Sequence, residues 1–177
     1  LNWTLNNEAV KISRGEYIFA ISYDDKISQN YIEEMYKLFT ENKKCISAAG
    51  RYVSFNEKSE VNLDEMNNRT NNFRDRYMSG KELVLSILKG YKTIFGAPGN
   101  IFAFKKDILM KNDGYQLSGE YHELYGLVPL GETGFSDKAI LYWRRHDDQV
   151  NKIMTLRGHL NSIPLLEYFT SINFRKR

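Results

Sequence analysis

Tyr17-Ile18-Phe19-Ala20-Ile21, followed at once by Ser22-Tyr23-Asp24-Asp25-Lys26, is the stretch on which the reading of this chain turns. The first five residues form a nearly continuous apolar run of β-forming types. That is the pattern of a strand buried on both faces, as in a parallel sheet. The run stops at a polar turn carrying two adjacent carboxylates. In open α/β sheets ligands sit at the carboxyl ends of strands. Carboxylates placed there can hold a hard divalent cation such as Mg²⁺ or Mn²⁺, which in turn can neutralise a diphosphate. An acidic turn ahead of a helix also gains from the helix dipole, so Asp24-Asp25 by itself fits either role.

Working outward, residues 7–14 predict a short helix closed by Gly15. Residues 28–42 predict a second helix, with Tyr31, Met35, Leu38 and Phe39 as its apolar stripe. Residues 45–49 predict a strand, with residues 52–55 continuing it beyond Gly50. Residues 56–77 are polar and Asn-rich, a long surface loop or an excursion that covers a site. Ser79 and Glu82 fit a capping box, with Met78 and Leu83 as its hydrophobic staple, ahead of a helix to about Lys89. The turn Gly96-Ala97-Pro98-Gly99-Asn100 lets backbone approach a ligand closely, or is an ordinary turn. Residues 101–104 predict a strand, 105–110 a short helix, 120–130 a longer helix and 139–143 a late strand. The tail from 151 to 174 is helical by pattern, broken or restarted at Pro164.

With 177 residues, 42% of them hydrophobic and 27% charged, the chain is long enough for one domain with a real core. Its 24 aromatic residues, twelve Tyr, ten Phe and two Trp, suit a packed fold or a carbohydrate-like ligand surface. The net charge of +3 is spread along the chain, so nucleic acid is not an expected partner. One cysteine, Cys45, excludes an intramolecular disulfide and a CxxC zinc site. No apolar run approaches the roughly 18 residues of a membrane span, and no signal peptide opens the sequence. A reducing, cytoplasmic setting is the expectation.

Two further clusters carry chemistry. Trp143-Arg144-Arg145-His146 follows a strand, and two guanidiniums with an imidazole suit phosphate binding and metal ligation. The same residues also read as a solvated basic cluster balanced by Asp147 and Asp148. Glu120 and Glu123, flanking His122, are candidates for a general base on a helix facing a cleft, or for a charged helix surface. His159 and Cys45 read as packing residues.

The order of these signals resembles the inverting family 2 glycosyltransferases with a GT-A fold. Asn6-Asn7-Glu8-Ala9-Val10-Lys11-Ile12-Ser13-Arg14-Gly15-Glu16-Tyr17-Ile18 is similar to that family's helix and its Gly-Glu-Tyr-Ile entry into the metal-site strand. Ser22-Tyr23-Asp24-Asp25 falls where the family has Asp-x-Asp-Asp, with Ser22 in place of the Asp that contacts the ribose. Leu141-Tyr142-Trp143-Arg144-Arg145-His146 resembles the closing strand and its Tyr-Arg-x-His motif. The resemblance implies an α/β, Rossmann-like and mostly parallel sheet. It implies a Mn²⁺ or Mg²⁺ ion held by Asp24 and His146, and Glu123 as the base, with Glu120 second. Asp25, Trp143, Arg144, Arg145, Gly99 and Asn100 would bind substrate. The donor would be a nucleoside diphosphate sugar, and the acceptor a glycan or lipid-linked glycan at the inner membrane face. The family's first strands, which hold the nucleotide base, would precede Leu1. Residues 1–150 then read as the C-terminal two-thirds of a GT-A domain and 151–177 as a helical extension. Leu156, Leu160, Leu166, Phe169 and Arg175-Lys176-Arg177 give that extension an amphipathic pattern. The pattern suits packing on the domain, on a partner chain such as a second copy, or peripherally on a membrane. Two other readings stay open: a non-catalytic carbohydrate-binding or assembly module, and a glycoside hydrolase, which needs two facing carboxylates.

Overall fold

Two long strands, β3 (Cys45–Phe55) and β6 (Glu132–Arg144), run side by side in parallel and form the spine of the molecule. The computed structural model describes residues 3–56, 61, 76–88, 102–115 and 123–146. Four short strands join the spine: β1 (Tyr17–Phe19), β2 (Lys26–Ile27), β4 (Tyr77–Ser79) and β5 (Phe102–Lys105). The order across the sheet is β1-β5-β3-β6-β2, and β4 also pairs with β6. Among these strands only β3 and β6 pair in parallel; β1–β5, β3–β5, β2–β6 and β4–β6 are antiparallel. The fold is thus α/β on a mixed sheet, which corrects the expectation of a mostly parallel one. A continuous apolar run reports burial on both faces and says nothing of strand direction, which the connections decide.

β1 itself corrects a second expectation. It is three residues long, lies at the outer end of the strand order, and is half-buried. Its apolar character comes from the helix that covers it: the Tyr17 ring stacks on Phe39 at 4.6 Å and meets Tyr36 edge-on at 5.6 Å. That helix, α2 (Tyr31–Glu41), buries the stripe read from the sequence, Tyr31, Met35, Leu38 and Phe39. Burying side chains of this size stabilises by about 1.5–3 kcal/mol each. α2 starts three residues later than expected because Ser28 is tied to β6. Its N–H donates to Ile140 O at 2.9 Å, and its hydroxyl accepts the Ile140 N–H at 3.1 Å.

The long strands bend where their registers slip. Gly50 is opposite Ser136 but Arg51 is opposite Ile140, so Asp137, Lys138 and Ala139 bulge out of β6. The bulge requires Gly50: a Cβ there would lie 2.3 Å from the Ala139 carbonyl oxygen. Beyond the bulge β6 turns to pair with β2, through Lys26↔Tyr142 and Ile27↔Leu141. Only residues 139–143 of β6 are legible as strand, because the exposed Asp137 and Lys138 interrupt its apolar pattern.

Helix α1 (Trp3–Ile12) begins earlier than expected and ends before Gly15, its last carbonyls capped by the Lys106 ammonium on Lys11 O and Ser13 O. α3 (Gly80–Leu88) follows β4, and α4 (Lys106–Lys111) follows β5. The helix expected over 120–130 is corrected to one π turn, Glu123–Leu127, and one 3₁₀ turn, Val128–Leu130. Pro129 supplies no backbone N–H to continue a regular helix. Glu120, the Gly99-Asn100 turn and the 151–177 tail lie outside the described residues. Among the described residues no helix is long and apolar enough to cross a membrane.

Candidate functional site

The six residues 20–25 carry the chain from β1 to β2, which occupy opposite ends of the strand order. β1, β3 and β6 point the same way, because β5 is antiparallel to both β1 and β3 and β6 is parallel to β3. The link therefore leaves β1 at its carboxyl end and reaches the carboxyl end of β6. It tightens into a turn in which the Asp25 N–H donates to Ser22 O at 3.2 Å, with Tyr23 and Asp24 at the corner. Tyr23 is 99% exposed there.

The two carboxylates are used differently. Asp25 Oδ1 accepts the Arg144 backbone N–H at 3.0 Å, pinning the turn to the last residue of β6. Asp24 Oδ2 lies 3.1 Å from His146 Nε2, two residues further on. His146 is held in place because the Arg145 N–H donates to Phe55 O at 2.8 Å, extending the β3–β6 ladder by one step. The Asp24 and His146 side chains keep 18% and 21% of their surface in solvent, so a ligand can reach them. Asp25 is more enclosed. Burial pushes its carboxyl up to about 6, Asp24 adds to the rise, and the Arg144 N–H, His146 and Ser22 oppose it. Its Oδ2 is buried with no hydrogen-bond partner.

Cations gather at the same end of the sheet. The Arg145 guanidinium lies over the Trp143 ring at 5.0 Å, and the Lys26 ammonium over the Phe55 ring at 5.0 Å. Phe55 ends β3, and Trp143 is the last residue but one of β6. Stacking holds each cation against its ring.

The Asp24 carboxylate suits a hard divalent ion, whereas the His146 imidazole suits a borderline transition-metal ion better than Mg²⁺. Two ligands on adjacent corners of an octahedron around Mg²⁺ lie about 3.0 Å apart, given bonds of about 2.0–2.1 Å. The Asp24–His146 separation of 3.1 Å, a hydrogen bond or ion pair in this structure, is close to that spacing. Among the described residues no group of three or more His, Cys, Asp or Glu is arranged to hold a metal. A hard ion bound at Asp24 would need further ligands, such as water and substrate phosphate.

Glu123 stands elsewhere in the chain's architecture. It opens the π turn and is 3% exposed, and among the described residues it is the one charged side chain that is buried. A π turn inserts one residue into a helical turn and is often found at functional sites. The phenol of Tyr115, itself 4% exposed, is pushed above its ordinary range by burial and then by the Glu123 charge. This burial corrects the alternative of Glu123 as a charged helix surface.

The structure thus brings together Asp24, Asp25, His146 and the Trp143–Arg145 pair from opposite parts of the sequence. Lys26, Asn7 and Tyr115 were not singled out from sequence. Gly114 after Asn112-Asp113 signals a turn before Tyr115, whereas nothing local marks Asn7 or Lys26. The chain matches neither a family model nor a curated protein.

Proposed function

We propose that this chain carries the catalytic part of an inverting, metal-assisted glycosyltransferase of the family 2 type. The observation that supports it most is the Asp24–His146 contact: two motifs 122 residues apart meet at 3.1 Å at the carboxyl ends of two co-directional strands. A hard cation bound by this pair would neutralise the negative charge that builds on a departing diphosphate. Arg145 and Lys26, held over Trp143 and Phe55, orient the phosphates of a nucleoside diphosphate sugar, with Arg144 on the same strand end. Glu123 accepts the proton of the acceptor hydroxyl as its oxygen attacks the anomeric carbon. The bond from that carbon to the diphosphate oxygen breaks on the opposite face, and configuration inverts. Its burial keeps Glu123 apart from bulk water during the transfer. The acceptor is a hydroxyl of a glycan or a lipid-linked glycan.

The test is calorimetric titration of UDP and of GDP into the full-length protein with Mn²⁺, and into Asp24→Ala. Mn²⁺-dependent binding in the first and its loss in the second is the expected result. Equal metal-dependent binding in both removes Asp24 from the site and this reading with it. Binding without turnover on a panel of UDP- and GDP-sugars identifies instead a non-catalytic carbohydrate-assembly module.

A further inference from the structure

The link from β1 to β2 is tied down at its backbone and leaves one large ring outside. The Asp25 N–H donates to Ser22 O at 3.2 Å, and Asp25 Oδ1 accepts the Arg144 N–H at 3.0 Å. At the corner of this pinned turn Tyr23 is 99% exposed. Tyr31, Tyr52, Tyr115 and Tyr125, by contrast, are each 5% exposed or less. Among the large apolar side chains of the described residues Tyr23 is the most exposed; Ile12 follows at 80%. Position decides what the ring can meet. Tyr23 directly precedes Asp24, and consecutive Cα atoms are about 3.8 Å apart. Asp24 in turn meets His146 at 3.1 Å. The ring therefore stays in the neighbourhood of whatever that pair binds. Its chemistry narrows the choice. The face of an aromatic ring carries negative charge density, which repels phosphate and attracts the slightly positive C–H groups of an apolar surface. A pyranose offers such C–H groups on its face and hydroxyls around its edge, and the phenol has a hydrogen-bonding tip to match. Phosphate is drawn instead to Arg145 and Lys26, on Trp143 and Phe55. The acceptor glycan comes from solvent, and Tyr23 is the ring of this link that stands in solvent.

We propose that Tyr23 is the platform on which the acceptor docks: its ring stacks on the apolar face of a pyranose of the acceptor glycan, beside the donor held at Asp24 and His146. The proposal rests on the glycosyltransferase reading of that site. Stacking of this kind is made equally before and during transfer, so it sets the acceptor KM and leaves kcat and donor binding alone.

Two measurements on the full-length protein test it, each on the wild type, Tyr23→Ala and Tyr23→Phe. Tyr23 buries almost nothing and lies outside the left-handed φ region, so both variants should melt with the wild type. The first measurement is saturation-transfer NMR with the methyl pyranosides of glucose, galactose, mannose and N-acetylglucosamine, in Mn²⁺ with UDP or GDP. The wild type and Tyr23→Phe are expected to saturate the C–H protons of at least one pyranoside. Tyr23→Ala should bind it about 10–30-fold more weakly. The second is the rate of transfer from the UDP- or GDP-sugar that the protein turns over. Here Tyr23→Ala should raise acceptor KM by the same factor, with kcat and donor KM within about twofold. Equal pyranoside binding in the wild type and Tyr23→Ala overturns the proposal, as does a wild type that binds none of the panel. Equal losses in Tyr23→Ala and Tyr23→Phe overturn it too, because they assign the effect to the hydroxyl. A rise in donor KM alone gives the ring to the nucleotide and sinks the proposal likewise. Pyranoside binding that needs Tyr23, in a protein that turns over no UDP- or GDP-sugar, sinks the reading of the reaction and leaves the platform standing.

Discussion

Asp24 and Asp25 are neighbours with opposite duties: one faces His146 and solvent, the other locks the turn to the Arg144 backbone. Removing the first kind of contact affects ligand more than fold. His146→Ala is expected to weaken Mn²⁺-dependent binding of UDP or GDP by about 10–100-fold, read by calorimetry, with the melting temperature little changed. Asp25 behaves in the other sense. Its carboxyl is held up to about 6 in the folded chain, from an ordinary value of 3.8. The folded state thus binds that proton more tightly than the unfolded one. Its contribution to stability is fully present below about pH 3.8 and is lost as pH rises through 6. Asp25→Asn keeps the oxygen that accepts the Arg144 N–H and removes the charge. In EDTA at pH 7.5 it should gain about 1 kcal/mol, after allowance for the side chain's partial exposure. That corresponds to a melting temperature about 2–4 °C higher. Near pH 3.5 the difference should vanish; a gain that persists there would show that charge is not its cause. Cys45 offers a check on the core: burial raises its thiol to about 11, and Sγ donates to Ser47 O at 3.1 Å. At pH 8 its labelling by a disulfide reagent should be at least ~100-fold slower in the native protein than in denaturant.

At the scale of elements, the bulge at Gly50 fixes the bend of both long strands. Gly50→Ala drives a methyl against a backbone oxygen, which no side-chain rotation can relieve. The expected cost is about 1–3 kcal/mol, seen as a lower urea midpoint at unchanged slope. This scale also separates what could be read from the sequence from what could not. The stripe of α2 is legible because it is local and periodic, and the run of β3 because it is local and, Arg51 apart, buried throughout. Strand direction was not legible, because β5 pairs antiparallel with β1 and β3 for reasons of connection, not of composition. The π turn at Glu123 escaped for a similar reason: its apolar residues repeat at roughly helical spacing, and only the short run to Pro129 distinguishes it. Within the site, Asp24, Asp25 and His146 were singled out by residue type and order along the chain, yet nothing in their spacing states that they touch. The hydrogen bond from the Asn7 amide to the Tyr115 carbonyl had no signal, since a lone Asn in a helix looks like any other.

For the whole molecule, stability is concentrated in the spine. Cys45, Ala48, Ala49, Val53, Ala139 and Leu141 on β3 and β6 are fully buried, and β3 is flanked on both sides by β5 and β6. Amide exchange should be slowest at Ala48, Ala49 and Val53, opening only with global unfolding, and fastest among the strands at β1 and β2. Uniform protection across all six strands would contradict this gradient. The 122 residues between Asp24 and His146 also set an order in time. A ribosome adding about 5–20 residues per second leaves roughly 6–24 s between the emergence of the acidic turn and that of its partner. β2 waits as long, since it pairs with β6 alone. During vectorial synthesis the growing chain therefore carries Asp24 without its partner, and the Asp24–His146 contact forms in one step, once β6 and His146 have emerged.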